Sequence, residues 1–371
     1  MSDPFMRIEM LPALHGDCVW AEYGDTTHLR RFLIDGGPIG AFTALEQRLK
    51  RLPAGDKKFE LIVLSHVDTD HTDGLIRLFA ESKPWPFMVE DVWFNGWRHL
   101  ESAHGILGGK QGEYFSALLA RRLDKRSWNG AFDHQAVVVP EDEASALPER
   151  SLAGDMKLTL LSPTPATLAK MREAWRENIG DAFDPGDLEA AWKKLAQQKR
   201  YLPGQGLLGS TPELDALLEK QSRPDHAVAN GASIAFLAEF ADKSCLFLAD
   251  AHPDVICDSL KRLVKARGLE RLAVDAVKVA HHGSKSNTTD DLLALIDSPR
   301  FLISTNGAQF RHPDREAIQR IIARSQTREV KLFFNYKTEF NQEWENEKPQ
   351  PNLHYTTQYS LENGSPLVVE L

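Results

Sequence analysis

Cysteine is scarce in this chain: Cys18, Cys245 and Cys257 are the only three among 371 residues. The number is odd and none of them stands at a metal-ligand spacing from another, which excludes a disulfide framework or a cysteine-based zinc site as the organiser of the fold. They read as small apolar residues of a reduced protein, and a cytoplasmic location is expected. Long apolar runs are missing as well. Nowhere does the sequence offer the roughly 18 consecutive apolar residues of a membrane span, so no membrane association is expected. The opening "MSDPFMRIEML" lacks the basic start and apolar stretch of a signal peptide. Positive charge is also in deficit. Lys and Arg number 44 against 53 Asp and Glu, a formal net charge of −9, which excludes a general basic field for nonspecific nucleic-acid binding. The basic stretches "RRLDKR" from Arg121 and "KRLVKARGLER" from Lys261 read as solvated helix faces. No internal repeat or low-complexity tract is visible.

What is present is the composition of a globular protein, 42% hydrophobic and 26% charged, with length enough for a substantial core. From Arg7 to Asp35 the pieces "RIEMLPAL", "DCVWAEYG" and "LRRFLID" read as strands, and "IDGGP" turns sharply at Gly36 and Gly37. "AFTALEQRLKRL" then places Phe42, Leu45, Leu49 and Leu52 on one helical face. "FELIVLSH" is a short continuous apolar run, the mark of a buried strand, and "DGLIRLFAES" resumes helical spacing. "MVEDVWFNG", "AVVVPEDEASALPE" and "MKLTLLSPTP" suggest further strands, and residues 114–126 an amphipathic helix. Residues 165–224 read as a helix-rich insertion near the active site within one domain spanning 1–371. Trp175 and Trp192 within it are expected as core anchors. Strands return with "SIAFLAEF", "SCLFLAD", "VDAVKVA", "RFLIST", "KLFFNY" and "PLVVEL", so strands and helices run twice in similar order.

Between the strand "LIVL" and the helix that follows lies "SHVDTDHTDGL". His66, Asp68, Asp70 and His71 are four candidate ligands within six residues. Alternation along an extended chain sends His66, Asp68 and Asp70 to one side, and His71 joins them if the chain bends into the helix. Imidazole nitrogens with carboxylates suit Zn²⁺, Mn²⁺ or Fe. A polar turn in which Thr69 or Asp70 caps the helix is the competing reading, but capping needs one acid and no histidine. Asp250 ends the apolar strand "CLFLAD", where a carboxylate can bridge two metals. His281 and His282 follow "AVKVA", and Asn306, Arg311 and His312 follow another strand in "NGAQFRHP". Taken singly, each of these three would be an ordinary loop feature.

Together these blocks resemble the metallo-β-lactamase superfamily, whose first signature is H-x-H-x-D-H. More narrowly they are similar to the soluble C-terminal domain of ComEC-type DNA-uptake proteins. The matching pieces are "HGDCVW…FLIDGG", "LSHVDTDHTDGL", "NGASIAFLAEF…CLFLADA", "VKVAHHGSKSNTT" and "LISTNGAQFRHP", in the family's order from about Ile8 to Pro313. The resemblance implies an α/β fold, the four-layer αββα metallo-β-lactamase sandwich, here with a helix-rich insertion. It implies two divalent metal ions, Zn or Mn, held by His66, Asp68, Asp70, His71, Asp250 and His281. Asp68 stands where the general pattern has a second histidine, which makes that site richer in oxygen. The third-motif histidine has no clear counterpart, and Asn230 lies in the block where it is expected.

The implied activity is metal-dependent hydrolysis, most simply of a phosphodiester, as a phosphodiesterase or nuclease acting on nucleic acid or a nucleotide. Asp70, His282 and His312 are the candidate catalytic residues, and Ser284, Lys285 and Asn306 the candidate substrate contacts. Asp17 and Asp35 read as acids that orient ligands or loops. Two other readings compete: a lactone, β-lactam or thioester hydrolase of the same fold, and a non-catalytic binding or regulatory member. A homodimer is a further expectation. The membrane channel of ComEC proteins has no counterpart in this sequence, so DNA uptake does not follow.

Overall fold

The computed structural model describes residues 3–81, 87–100, 109–123, 127–179, 182–202, 226–324, 329–347 and 354–371. Two sheets carry it. The first contains β1 (Phe5–Met10), β2 (Val19–Gly24), β3 (Leu29–Ile34), β4 (Lys58–Val63) and β5 (Met88–Trp93). The second contains β6 (Glu149–Leu152), β7 (Met156–Ser162), β8 (Ala235–Phe240), β9 (Lys243–Phe247), β11 (Ala276–Lys278), β13 (Arg300–Ile303), β14 (Val330–Phe334) and β15 (Tyr355–Tyr359). Short strands β10 (Leu272–Ala273) and β12 (Ile296–Asp297) pair beside it, and β16 (Leu367–Glu370) returns to pair with β1. The orders are β16-β1-β2-β3-β4-β5 and β15-β14-β13-β11-β9-β8-β7-β6.

The sequence explains the pairing. β4 is an apolar run because it lies parallel between β3 and β5, with both faces covered. The same holds for β11, parallel to β9 on one side and β13 on the other. Strands β1, β2 and β3 pair antiparallel in order, with β2 and β3 joined across the turn at Asp25.

Three apolar clusters define the layers. Met6, Ile8, Tyr23 and Phe32 of the first sheet meet Leu158, Phe236 and Phe247 of the second, forming the inter-sheet core. Helices α1 (Phe42–Lys50), α2 (Thr69–Phe79), α3 (Gly109–Arg122), α4 (Pro165–Ile179) and α5 (Leu188–Leu195) pack around the outer face of the first sheet, with Phe42, Leu45 and Leu49 turned inward as their spacing required. The short α6 (His226–Gly231) adjoins α4. Helices α7 (Pro253–Arg267), α8 (Asp290–Ala294) and α9 (Arg315–Arg324) cover the second sheet through Ile256, Leu260, Leu292 and Ile318. The layer order is therefore helices, sheet, sheet, helices, the four-layer αββα sandwich expected from the motifs.

One expected strand is not one. "AVVVPEDEASALPE" runs as irregular extended chain, although Val137 and Val139 are fully buried between the sheets. The Asn95 side chain takes over the role of a strand partner, donating to the Val137 carbonyl at 2.9 Å and accepting from its N–H at 2.8 Å. Satisfying the buried backbone removes the need for a ladder.

The described parts of the expected insertion, 165–179 and 182–202, pack on α3. Trp175 is fully buried and donates from Nε1 to Glu113 Oε1 at 2.8 Å, as a core anchor should. Trp192 is partly buried, with the Arg121 guanidinium over its ring. Residues 203–224 of that segment lie outside the described residues. Among the described residues no helix is long and apolar enough to cross a membrane.

Candidate metal centre

The candidate ligands gather where strands end, with Asp68 just before α2 and Asp70 and His71 in its first turn. His66 follows β4, Asp250 follows β9, and His281 and His282 follow β11. The chain must come close to itself there, and small residues allow it. A Cβ on Gly16 would fall 1.9 Å from the Asp70 carbonyl oxygen, and one on Gly36 would fall 2.3 Å from the Leu75 nitrogen. Glycine at these points lets the start of α2 press against the loops that carry Asp17 and Asp35. Asp35, His281 and His282 adopt left-handed φ values of 60°, 46° and 54°. Strain of this kind, about 1–3 kcal/mol at each residue, gathers where function fixes the backbone.

The side chains converge on one oxygen. His66, His71, His281 and His282 place their Nε2 atoms 3.9, 3.5, 3.7 and 3.8 Å from Asp250 Oδ2. Asp68 Oδ2 is 3.6 Å from His66 Nε2, and Asp70 Oδ2 is 3.5 Å from His282 Nε2 and 3.8 Å from His71 Nε2. Asp68 precedes α2 as its N-terminal flanking residue yet makes no side-chain capping bond. Its carboxylate and that of Asp70 are thus turned to the cluster and not spent on the helix.

Each ring is held from behind. His66 Nδ1 meets Ser65 Oγ at 3.0 Å, and that hydroxyl donates to Asp35 Oδ2 at 2.7 Å. His71 Nδ1 meets Asp35 Oδ2 at 2.8 Å, and His282 Nδ1 meets the Ser304 carbonyl at 2.9 Å. His281 Nδ1 meets Asn287 Oδ1 at 3.0 Å, while Asn287 Nδ2 donates to the carbonyls of Asp250 and Ala251. Acceptors behind the rings favour a proton on Nδ1, so that a cation bound beside Asp250 would take the Nε2 lone pairs.

The Nε2 atoms of His66, His71 and His282, together with Asp250 Oδ1, are buried without a hydrogen-bond partner among the described residues. Three overlapping donor groups suit a cation: His66 with His71 and Asp250, Asp70 with His71 and His282, and Asp17 with Asp250 and His282. Burial pushes the Asp70 and Asp250 carboxyls up, but facing histidines, His71 and His282 among them, outweigh it and hold both below the usual carboxylate range. Burial likewise pulls His282 down, yet Asp17 and Asp250 raise it to about 10, and His71 rises for the same kind of reason. Carboxylates that draw charge onto buried histidines are carboxylates that call for cations. The residues fit divalent metals.

Other expected site residues stand further out. His312 lies at the rim, its ring 5.5 Å from that of His281 and stacked on Phe310. Burial and the neighbouring His281 lower it to about 4, so it is neutral at pH 7. Asn230 is buried beside His281, with Nδ2 3.4 Å from its Nδ1. Ser284 is used inside its own loop, accepting from the Ser286 N–H at 3.2 Å. Lys285 is exposed and pairs with Glu316 at 3.1 Å, and Asn306 Oδ1 accepts from the Ala308 N–H. No described contact brings Ser284, Lys285 or Asn306 to Asp250. Residues the sequence did not single out are Ser65, Asn287, Ser304 and Lys278. All four lie inside the matching blocks, but nothing in their residue types marked them out.

No protein-family model and no curated protein matches the chain. Among solved structures it is similar to the metallo-β-lactamase fold protein YhfI from Bacillus subtilis, at 9% identity and a TM-score of 0.44 over 100% of both chains. It is also similar to CmlA, a diiron β-hydroxylase from Streptomyces venezuelae, at 12% identity and a TM-score of 0.39, covering 100% of this chain and 55% of that one. The Rm3 metallo-β-lactamase is similar at 13% identity and a TM-score of 0.28, over 75% of this chain and 78% of that one.

Proposed function

We propose that this chain is a metal-dependent hydrolase of phosphodiesters. The observation that carries the reading is the convergence of four histidine Nε2 atoms on Asp250 Oδ2, at 3.5 to 3.9 Å, with each Nδ1 tied to an acceptor behind it. Asp70, His71 and His282 would hold one ion, His66, Asp68 and His281 the other, with Asp250 shared between them. Zinc or manganese bound there supplies Lewis acidity, which lowers the pKa of water and neutralises charge on a phosphoryl group.

The chain's own residues do the rest. Asp35 orients His71 and, through Ser65, His66. Buried walls around the ligands exclude bulk water and strengthen electrostatic interactions inside. His312, neutral and at the open rim beside His281, has a ring N–H to offer a phosphoryl or leaving oxygen. The preference for a phosphodiester draws on the resemblance of the His281–Ser284 and His312–Pro313 blocks to ComEC-type domains. The net charge of −9 favours a small phosphodiester over a long polyanion unless a local track provides cations.

The test is a substrate panel with added Mn²⁺ or Zn²⁺, on wild type and Asp70→Ala. Turnover of a bis-aryl phosphodiester or of DNA by the wild type alone supports the reading. Turnover confined to a lactone or thioester assigns the other hydrolase reading, and no turnover with any substrate assigns a binding role.

A further inference from the structure

Lys278 is 2% exposed, on β11 in the middle of the second sheet. An ammonium so placed needs a strong reason, because burying a charge is costly unless it is paired. Its Nζ donates to Asp17 Oδ2 at 2.7 Å and to the Val279 carbonyl at 3.3 Å. The other oxygen, Asp17 Oδ1, is buried without a hydrogen-bond partner and lies 3.6 Å from His282 Nδ1. Asp17 belongs to the donor group formed with Asp250 and His282. Asp17 is therefore near enough to the centre to compete as a ligand, yet one of its oxygens is already committed to a lysine.

The charges give that commitment a meaning. Asp17, Asp35, Asp68, Asp70 and Asp250 are five carboxylates between 0% and 6% exposed. Lys278 answers one of them, and the remaining four carry the charge that two divalent cations neutralise. Resting on the two-metal reading above, we propose that Lys278 is a resident cation of the metal centre: it neutralises Asp17, keeps that carboxylate out of the ligand set, and fixes the capacity of the centre at two divalent ions. The pair acts on the metals through charge, so Lys278 and Asp17 are positioning residues.

The proposal predicts effects of opposite sign. Lys278→Met removes a positive charge close to the ions and should tighten binding of the weaker one. Asp17→Asn leaves the ammonium unanswered and should weaken that binding, each by roughly tenfold or more for a charge at this range in a poorly screened site. The double variant D17N/K278M removes a neutral pair and should return to within about threefold of wild type. Mn²⁺ affinity and stoichiometry of the full chain are read by competition with a chelating dye, with circular dichroism to verify folding. If Lys278→Met does not fold, the comparison of Asp17→Asn with the double variant decides. Weakening in both foldable single variants makes the pair merely structural and overturns the proposal. A double variant as weak as Asp17→Asn makes Asp17 a ligand and also overturns it. Wild-type protein that binds no Mn²⁺ or Zn²⁺ removes the two-metal reading itself, a separate result.

Discussion

His71 reaches Asp35 Oδ2 from Nδ1 at 2.8 Å, and this contact aims its Nε2 at Asp250, 3.5 Å away. The two residues meet because Gly36 and Gly74 let the 35–37 turn lie directly on α2, where the Gly36 N–H donates to the His71 carbonyl at 2.8 Å. A carboxylate behind a ligating imidazole fixes both its tautomer and its direction. Asp35→Asn should accordingly weaken divalent-ion binding roughly 10- to 100-fold with little loss of secondary structure. Chelator competition measures it, and unchanged affinity would show that His71 needs no such support.

The adjacent rings of His281 and His312 are assigned different work, although their centroids are 5.5 Å apart. Elemental analysis should find that His281→Ala and His282→Ala each lose one ion per chain. His312→Ala should keep the wild-type metal content and lower kcat roughly 100-fold or more, the usual scale for losing a hydrogen-bond donor to developing charge. Full metal content in His281→Ala would refute its role as a ligand, and metal loss in His312→Ala would refute its role at the rim.

His99 gives a pH signature away from the metals. Burial, with Arg98 close by, lowers its ring to about 3 from the ordinary 6.5, and the Gly96 N–H donates to Nδ1 at 3.0 Å. An unfolded chain takes up that proton first, so the neutral ring contributes its full stability above pH 6.5. The contribution is lost as pH falls from there towards 3. Urea denaturation of metal-loaded protein between pH 7 and about 4 should show a shallower loss of stability in His99→Gln than in wild type. Parallel curves would mean that His99 is not held neutral.

Tyr201 ties the segment after α5 to the metal-binding helix. Its hydroxyl donates to Asp73 Oδ1, one turn beyond Asp70, and Arg200 Nη1 approaches Asp73 Oδ2 at 3.5 Å. Tyr201→Phe removes a hydrogen bond to a buried carboxylate, which should cost about 1–3 kcal/mol of unfolding free energy. Chemical denaturation measures the loss, and a difference below about 0.5 kcal/mol would show that the link is not used.

Sequence patterning reached the fold and the inner ligands for a local reason. A strand buried on both faces must be apolar, so a polar cluster directly after "LIVL" or "CLFLA" stands out against it. His66, Asp68, Asp70 and His71 lie within six residues, and local geometry alone gathers them. The irregular course of Val137 was not legible, since the Asn95 side chain that replaces its ladder partner lies 42 residues away. Of the supports behind the four rings, Asp35 reads from the sequence as an orienting acid, whereas the Ser304 carbonyl and the Asn287 oxygen carry no signal in one sequence.

By itself, the sequence determined that two runs of strands and helices would each end in acids and histidines, and that these residues could serve metals. Only the tertiary structure decided that His282 joins Asp70 and His71, and that Lys278 meets Asp17 across 261 residues. Local alternation and apolar runs are written in neighbouring residues. The pairing of a buried charge depends on which strand ends the packed sheets bring together, and that is settled by the whole fold.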